Sequence, residues 1–202
     1  DLSAHSDQPM VDKALGLSLV FNGTLYNYRE LRRELAALGY RFFSEGDSEV
    51  ILKAYHAWGE DCVARFNGMF AFAVWSEADR TLFLGRDRAG IKPLYFAQDA
   101  GRFRFASTLP ALLAAGGVDK SLDPVALHHH LTLHAVVPAP RTILKGVRKL
   151  APGCVMTVDA DGEVATRPYW RLKAQRPALP LGEAAWIARV RAALLAAVER
   201  QQ

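Results

Sequence analysis

The sequence predicts an α+β fold, antiparallel strands packed with amphipathic helices, on three observations. The run Phe70-Ala71-Phe72-Ala73-Val74-Trp75 is apolar at successive positions, as in a central strand covered on both faces. Short strand-type runs follow it at close spacing, separated by turn residues, the pattern of an antiparallel meander. Two helical segments, one starting near Asn27 and one at Asp47, carry apolar stripes at helical spacing.

Taken in order, Leu17, Leu19 and Phe21 alternate and read as a strand with one buried face. Asn22-Gly23 follows as a tight-turn dipeptide, both residues tolerating positive φ. A strand–turn–helix corner of this kind leaves a side-chain amide and a backbone N–H at a strand end, which is how an oxyanion hole is built. The alternative is a turn with no chemistry. The helix after it places Tyr28, Leu31, Leu35 and Leu38 on one face, with Asn27 as cap, Glu30 three residues on, and Gly39 as stop. Tyr40 to Phe43 reads as a short strand. Gly46-Asp47-Ser48-Glu49 opens a second helix, with Val50, Ile51, Ala54, Tyr55 and Trp58 as its buried stripe and Gly59 as its end. Asp47 therefore sits at a helix N-terminus, either as a cap or as a carboxylate for a substrate ammonium.

Beyond the Phe70 strand, Glu77 to Arg80 turns the chain back into Thr81-Leu82-Phe83-Leu84. Strands at Pro93 to Ala97 and Phe103 to Ala106 are joined by a turn at Asp99-Ala100-Gly101. The charged corner Arg86, Asp87, Arg88 and Lys92 reads as groups that pair among themselves. Two short helices, Leu109 to Ala115 and Pro124 to Leu133, come next. A last small sheet is expected from Val147 to Leu150, Cys154 to Val158 and Val164 to Tyr169, with a turn at Asp159 to Gly162. Pro177 to Gly182 breaks the chain. Glu183 to Arg200 then forms a helix whose stripe Ile187, Val190, Leu194 and Val198 calls for a partner surface.

Composition excludes several classes. The chain has 202 residues, half of them apolar and a net charge of +4, which bounds it to one large domain or one and a half. Its basic residues are interleaved with acidic ones. The basic stretch Arg141 to Lys149 alternates with Ile143, Leu144 and Val147 as a solvated strand does, so no nucleic-acid partner is expected. Cys62 and Cys154, far apart in apolar surroundings, suit buried thiols in a reduced, cytoplasmic protein. No run reaches membrane-spanning length, and no membrane partner is expected. Ala115-Gly116-Gly117-Val118-Asp119 follows a helix, where a phosphate loop needs a preceding strand, so it reads as a helix-ending loop. His130 and His134 share i, i+4 spacing, but no third ligand is apparent and no metal site is assigned.

Six ordered stretches carry a resemblance. They are Asp7 to Met10, Phe21-Asn22-Gly23-Thr24-Leu25-Tyr26-Asn27-Tyr28-Arg29-Glu30-Leu31, Gly46-Asp47-Ser48-Glu49-Val50-Ile51-Leu52, Phe66 to Ala73, Arg86 to Tyr95, and Phe103 to Ser107. Together they resemble the class II, N-terminal-nucleophile glutamine amidotransferase domain of asparagine-synthetase-type enzymes, from Asp1 to about Leu172. The run looks closest to the branch that amidates the dipeptide osmolyte N-acetylglutaminylglutamine. The resemblance implies a four-layer αββα sandwich of two antiparallel sheets. It implies a mechanism in which an N-terminal Cys attacks the glutamine amide with its own α-amine as base. Asn22 and Gly23 would form the oxyanion hole, and Asp47 with the residue at Thr24 would bind the α-ammonium. Ammonia would then pass to a C-terminal synthetase domain using ATP and Mg2+. No cofactor is expected in this chain itself. Glutamine and the synthetase domain are the expected partners, with a homodimer as a further assembly.

The departures are specific. Neither Cys62 nor Cys154 is N-terminal. Asp1-Leu2-Ser3 is no initiator sequence, so the nucleophile and the family's carboxylate-binding arginine are expected before Asp1, and these residues alone are expected to be inactive. Thr24 stands where the family has Glu. Thr108-Leu109-Pro110 replaces a Glu-Ile-Lys-like stretch, which leans away from aspartate as acceptor. The expected organisation is a glutaminase domain over 1–172, a linker over 173–182, and the first helix of the synthetase domain over 183–202. Two other readings compete with it. One is a non-catalytic interaction or regulatory module of the same fold, and the other is an unrelated N-terminal-nucleophile hydrolase.

Overall fold

The structure is a computed structural model that describes residues 6–99, 101–175 and 181–201. The chain divides into two compact units, Asp1–Trp170 and Arg171–Gln202.

In the first unit, nine strands among the described residues build two sheets. The larger runs in spatial order through β1 (Met10–Asp12), β2 (Leu17–Leu25), β3 (Gly68–Ser76), β4 (Thr81–Arg86), β8 (Cys154–Val158) and β9 (Val164–Pro168). The smaller is ordered β6 (Arg102–Ala106), β5 (Tyr95–Asp99), β7 (Arg148–Lys149). Every pairing is antiparallel.

Period-two alternation along β3 explains the layering. Phe70, Phe72 and Val74 face one way, into a core with Leu31 and Leu35 of helix α1 (Tyr28–Ala37) and Val50, Ile51 and Ala54 of helix α2 (Asp47–Trp58). Ala71 and Ala73 face the other way, into a second core with Leu84, Leu94, Phe96 and Phe105 that joins the two sheets. A third core, around Ala97, Leu112 and Val147, seats helix α4 (Leu109–Ala114) on the outer face of the small sheet. Three cores between four layers make the αββα sandwich. Each fully buried Phe or Leu in them contributes about 1.5–3 kcal/mol.

Several expectations are corrected. The strand does not end at Asn22-Gly23. β2 continues to Leu25, and Asn22, Gly23 and Thr24 pair with Ala71, Phe70 and Met69. Tyr26-Asn27 makes the turn instead, and the Asn27 side chain does not cap α1. It bridges to the Arg65 carbonyl and the Asn67 N–H, tying the helix start to the approach to β3. Leu38 is exposed, because α1 ends one residue before it. Tyr40 to Phe43 forms no ladder, since Glu49 captures its Phe43 N–H. The meander splits between the sheets after β4, and β8 and β9 extend the large sheet rather than forming their own.

His134 lies past the end of helix α5 (Pro124–Thr132) in a left-handed conformation, so it shares no helix face with His130. The Asp99–Gly101 turn, the 173–182 linker and the break at 177–182 lie partly outside the described residues. No helix among the described residues is long and apolar enough to cross a membrane.

In the second unit, helix α6 (Glu183–Glu199) carries Ile187, Val190, Leu194 and Val198 exposed, each above half of its free area.

Candidate active site

β2 and β3 meet at two glycines. Gly23 has φ +153°, and a Cβ there would stand 2.1 Å from the Met69 carbonyl oxygen. A Cβ on Gly68 would stand 2.2 Å from the Thr24 carbonyl oxygen. Glycine is therefore required at Gly23 by backbone approach, not by a turn. The partner strand is held in turn by the charged corner. Asp87 is 1% exposed; its backbone N–H donates to the Phe70 carbonyl at 2.8 Å and its Oδ2 accepts from the Phe70 N–H at 3.2 Å. The same carboxylate accepts from the N–H groups of Ala89, Ile91 and Lys92. Arg86 donates to the carbonyls of Gly90, Lys92 and Leu150. The corner is thus not a set of mutual ion pairs. It satisfies buried backbone groups and fixes the residue opposite Gly23.

Helix α2 brings the carboxylate. Asp47 is its first residue and half-buried, and its Oδ2 accepts from the Leu25 N–H at 2.9 Å. It caps nothing in its own helix. Asp47, Gly23 and Thr24 line one cleft of about 370 Å³, together with Ser6, Gln8, Tyr28 and Glu45. The charged groups of this lining, among the described residues, are the carboxylates Glu45 and Asp47, so the cleft favours a cation. Thr24 is exposed there. Asn22 does not line this cleft. It borders a narrower groove with Ala71, Leu94 and Ser107. Phe21 and Gln8 border both spaces.

A buried charge network supports the start of α2, and sequence reasoning missed it. Glu49 is fully buried and accepts from the N–H groups of Phe43 and Ser44 and from the Ser44 hydroxyl. Lys53, one turn on, lies 3.0 Å from both Glu49 and Asp12 of β1. Burial acts to raise the Asp12 carboxyl, but hydrogen bonds from Lys53 and the Leu15 N–H hold it below its ordinary value. The i, i+4 spacing of Glu49 and Lys53 was a visible signal. Their burial was not, because both sit among apolar residues that a stripe alone explains. Ser6 and Gln8, also unassigned from sequence, reach the cleft from the segment before β1.

Neither thiol belongs to the site. Cys62 starts the short helix α3 (Cys62–Arg65), is fully buried in the first core, and is pushed far up by that burial. Cys154 opens β8.

The layering recurs in solved structures. The chain superposes on the glutamine phosphoribosylpyrophosphate amidotransferase of B. subtilis complexed with ADP and GMP, with a TM-score of 0.57 and 17% identity, over 83% of this chain and 33% of that one. The fold is therefore that of the N-terminal-nucleophile amidotransferases. The chain itself belongs to the glutamine amidotransferase domain family, which matches residues 1–170. It is 35% identical over 196 residues to glutamine-hydrolysing asparagine synthetase 3 of Bacillus subtilis (strain 168), covering 96% of this chain and 31% of that protein. It is 38% identical over 153 residues to asparagine synthetase 1 of the same organism, covering 76% and 24%. The chain spans about a quarter to a third of the length of these curated relatives.

Proposed function

We propose that this chain is the glutaminase domain of an ATP-dependent amidotransferase that releases ammonia from glutamine and delivers it to a carboxylate. One observation carries the reading: Asp47 and Gly23 line the same cleft, with Asn22 next to Gly23 on the same strand. An anion for the α-ammonium and a backbone N–H for a tetrahedral oxygen are what glutamine hydrolysis needs in that cleft, and Asn22 would add its amide from the adjoining groove, which shares Phe21 and Gln8 with it. The nucleophile is a thiol that neither Cys62 nor Cys154 supplies. The partner is a synthetase domain, of which α6 is the first helix, and ATP and Mg2+ serve that domain. The acceptor is a peptide-like carboxylate, N-acetylglutaminylglutamine first, supported by the closeness of the six stretches and by Thr108-Leu109-Pro110, where Thr108 caps α4.

The test is product formation by the full enzyme with glutamine, ATP and either N-acetylglutaminylglutamine or aspartate. Amide formed on the dipeptide at several times the rate on aspartate supports the acceptor. Equal or faster asparagine formation overturns that part and keeps the glutaminase. No glutamine-dependent product with any carboxylate overturns both.

A further inference from the structure

We infer that Arg32 is a positioning residue of the glutaminase cleft, fixing the wall that carries Asp47 through its hydrogen bond to the Ser44 carbonyl. The inference rests on the reading of the cleft as a glutamine site.

Glu45, Gly46, Asp47 and Ser48 form one wall of the cleft. The chain reaches that wall through residues 40–46, a stretch with no helix or strand, so its backbone groups need partners from elsewhere. Ser44, the last residue before the wall, is 4% exposed and is gripped from two helices. Glu49 of α2 accepts from its N–H at 2.7 Å and from its hydroxyl at 2.8 Å. Arg32 of α1 donates from Nη1 to its carbonyl oxygen at 2.6 Å. A carboxylate only accepts, so Glu49 has nothing to offer that carbonyl, and Arg32 supplies the missing donor. Beyond Ser44, the Leu25 N–H of β2 ties down Asp47. The wall is thus held at both ends, by α1 and α2 at Ser44 and by β2 at Asp47.

Two further contacts bear on how Arg32 acts. Its guanidinium carbon lies 4.3 Å from the Phe42 ring centroid, a cation–π contact that sets the fork over the irregular stretch. Its Nη2 lies 3.4 Å from Oε1 of Glu45, but the Glu45 side chain is 87% exposed, and such a pair is worth little in water. The bond to the buried carbonyl outweighs it, since an ionised donor makes a hydrogen bond about twice as strong as a neutral one. Arg32 is half-buried and belongs to none of the three cores, so its replacement leaves their packing in place.

The test is Arg32→Met in the full enzyme, alone and combined with Asp47→Asn. Alone, it should raise KM for glutamine by about 5- to 20-fold with a much smaller change in kcat, because the displaced wall serves ground and transition states alike. Added to Asp47→Asn, it should raise KM by about twofold at most, because the charge it positions is already gone. Synthesis driven by free ammonia normalises for folded protein. If Arg32→Met yields no folded enzyme, Arg32→Lys, which keeps a cation near Phe42 and a single donor, carries the same cycle with a smaller rise. An unchanged KM would overturn the inference. So would effects that multiply in full in the double variant, which would separate Arg32 from Asp47, or an equal fall of the glutamine- and ammonia-driven rates, which would mean general loosening of the fold. Absence of glutamine turnover in the unsubstituted enzyme would remove the glutaminase reading, and the inference with it.

Discussion

The backbone N–H of Leu25 donates to Oδ2 of Asp47 at 2.9 Å, tying the last residue of β2 to the first of α2. One carboxylate oxygen thus holds the helix to the strand at the wall of the cleft that Asp47 lines. In Asp47→Asn the amide oxygen can still accept from Leu25, while the charge is gone. KM for glutamine should rise by about tenfold or more, with kcat falling less, the pattern of binding lost equally by ground and transition states. If the variant only melts earlier and keeps its KM, the carboxylate is a structural tie.

Asn22→Ala in the full enzyme should lower glutamine-dependent kcat by roughly 10²–10³, the usual loss for one oxyanion donor. Synthesis from free ammonia should survive, because no tetrahedral intermediate forms on that route. Both rates are measured on one preparation, and equal loss of the two would return Asn22 to a structural role in β2.

Lys53→Met leaves Glu49 and Asp12 buried without their cation. At pH 7 the loss of stability should be about 3–5 kcal/mol. The sign with pH follows from Asp12, whose folded value lies below its ordinary 3.8. A lowered carboxyl stabilises fully above its unfolded value and loses that stabilisation as pH falls through the folded one. The gap between parent and variant should therefore narrow in melts taken below about pH 4. A constant gap between neutral and strongly acidic pH would mean that Lys53 contributes packing alone.

The 202-residue chain by itself should release no ammonia from glutamine above background. Cys62 is buried in the core and held protonated by that burial, so it should also resist thiol reagents until the protein unfolds. Glutaminase activity abolished by Cys62→Ser or Cys154→Ser would contradict this.

Much of this molecule was legible before its structure. The doubly covered strand at Phe70, the helix starting at Asp47 and the Asp159 turn follow from periodicity and turn chemistry. Asn22-Gly23 misled because its dipeptide preference is local, whereas the close approach of β2 to β3 is a tertiary fact. Glu49 and Lys53 were hidden for the same reason: a charge on a helix looks solvated until the loop and strand that cover it are in place. Gln8 lay in a recognised stretch, but its bond to the Phe21 N–H depends on a register that ends two residues after it.

The two glycines at the β2–β3 contact make a reciprocal constraint, each forbidden a side chain by the other strand's carbonyl. No second substitution nearby can repair a methyl group placed on either one, because the obstructing atom is backbone and has no smaller version. In a library that varies every position, Gly23 and Gly68 should therefore behave as a locked pair, intolerant singly and unrescued jointly. The tolerance of neighbouring Thr24 would show how narrow the lock is, since a side chain that points into open cleft meets no such carbonyl.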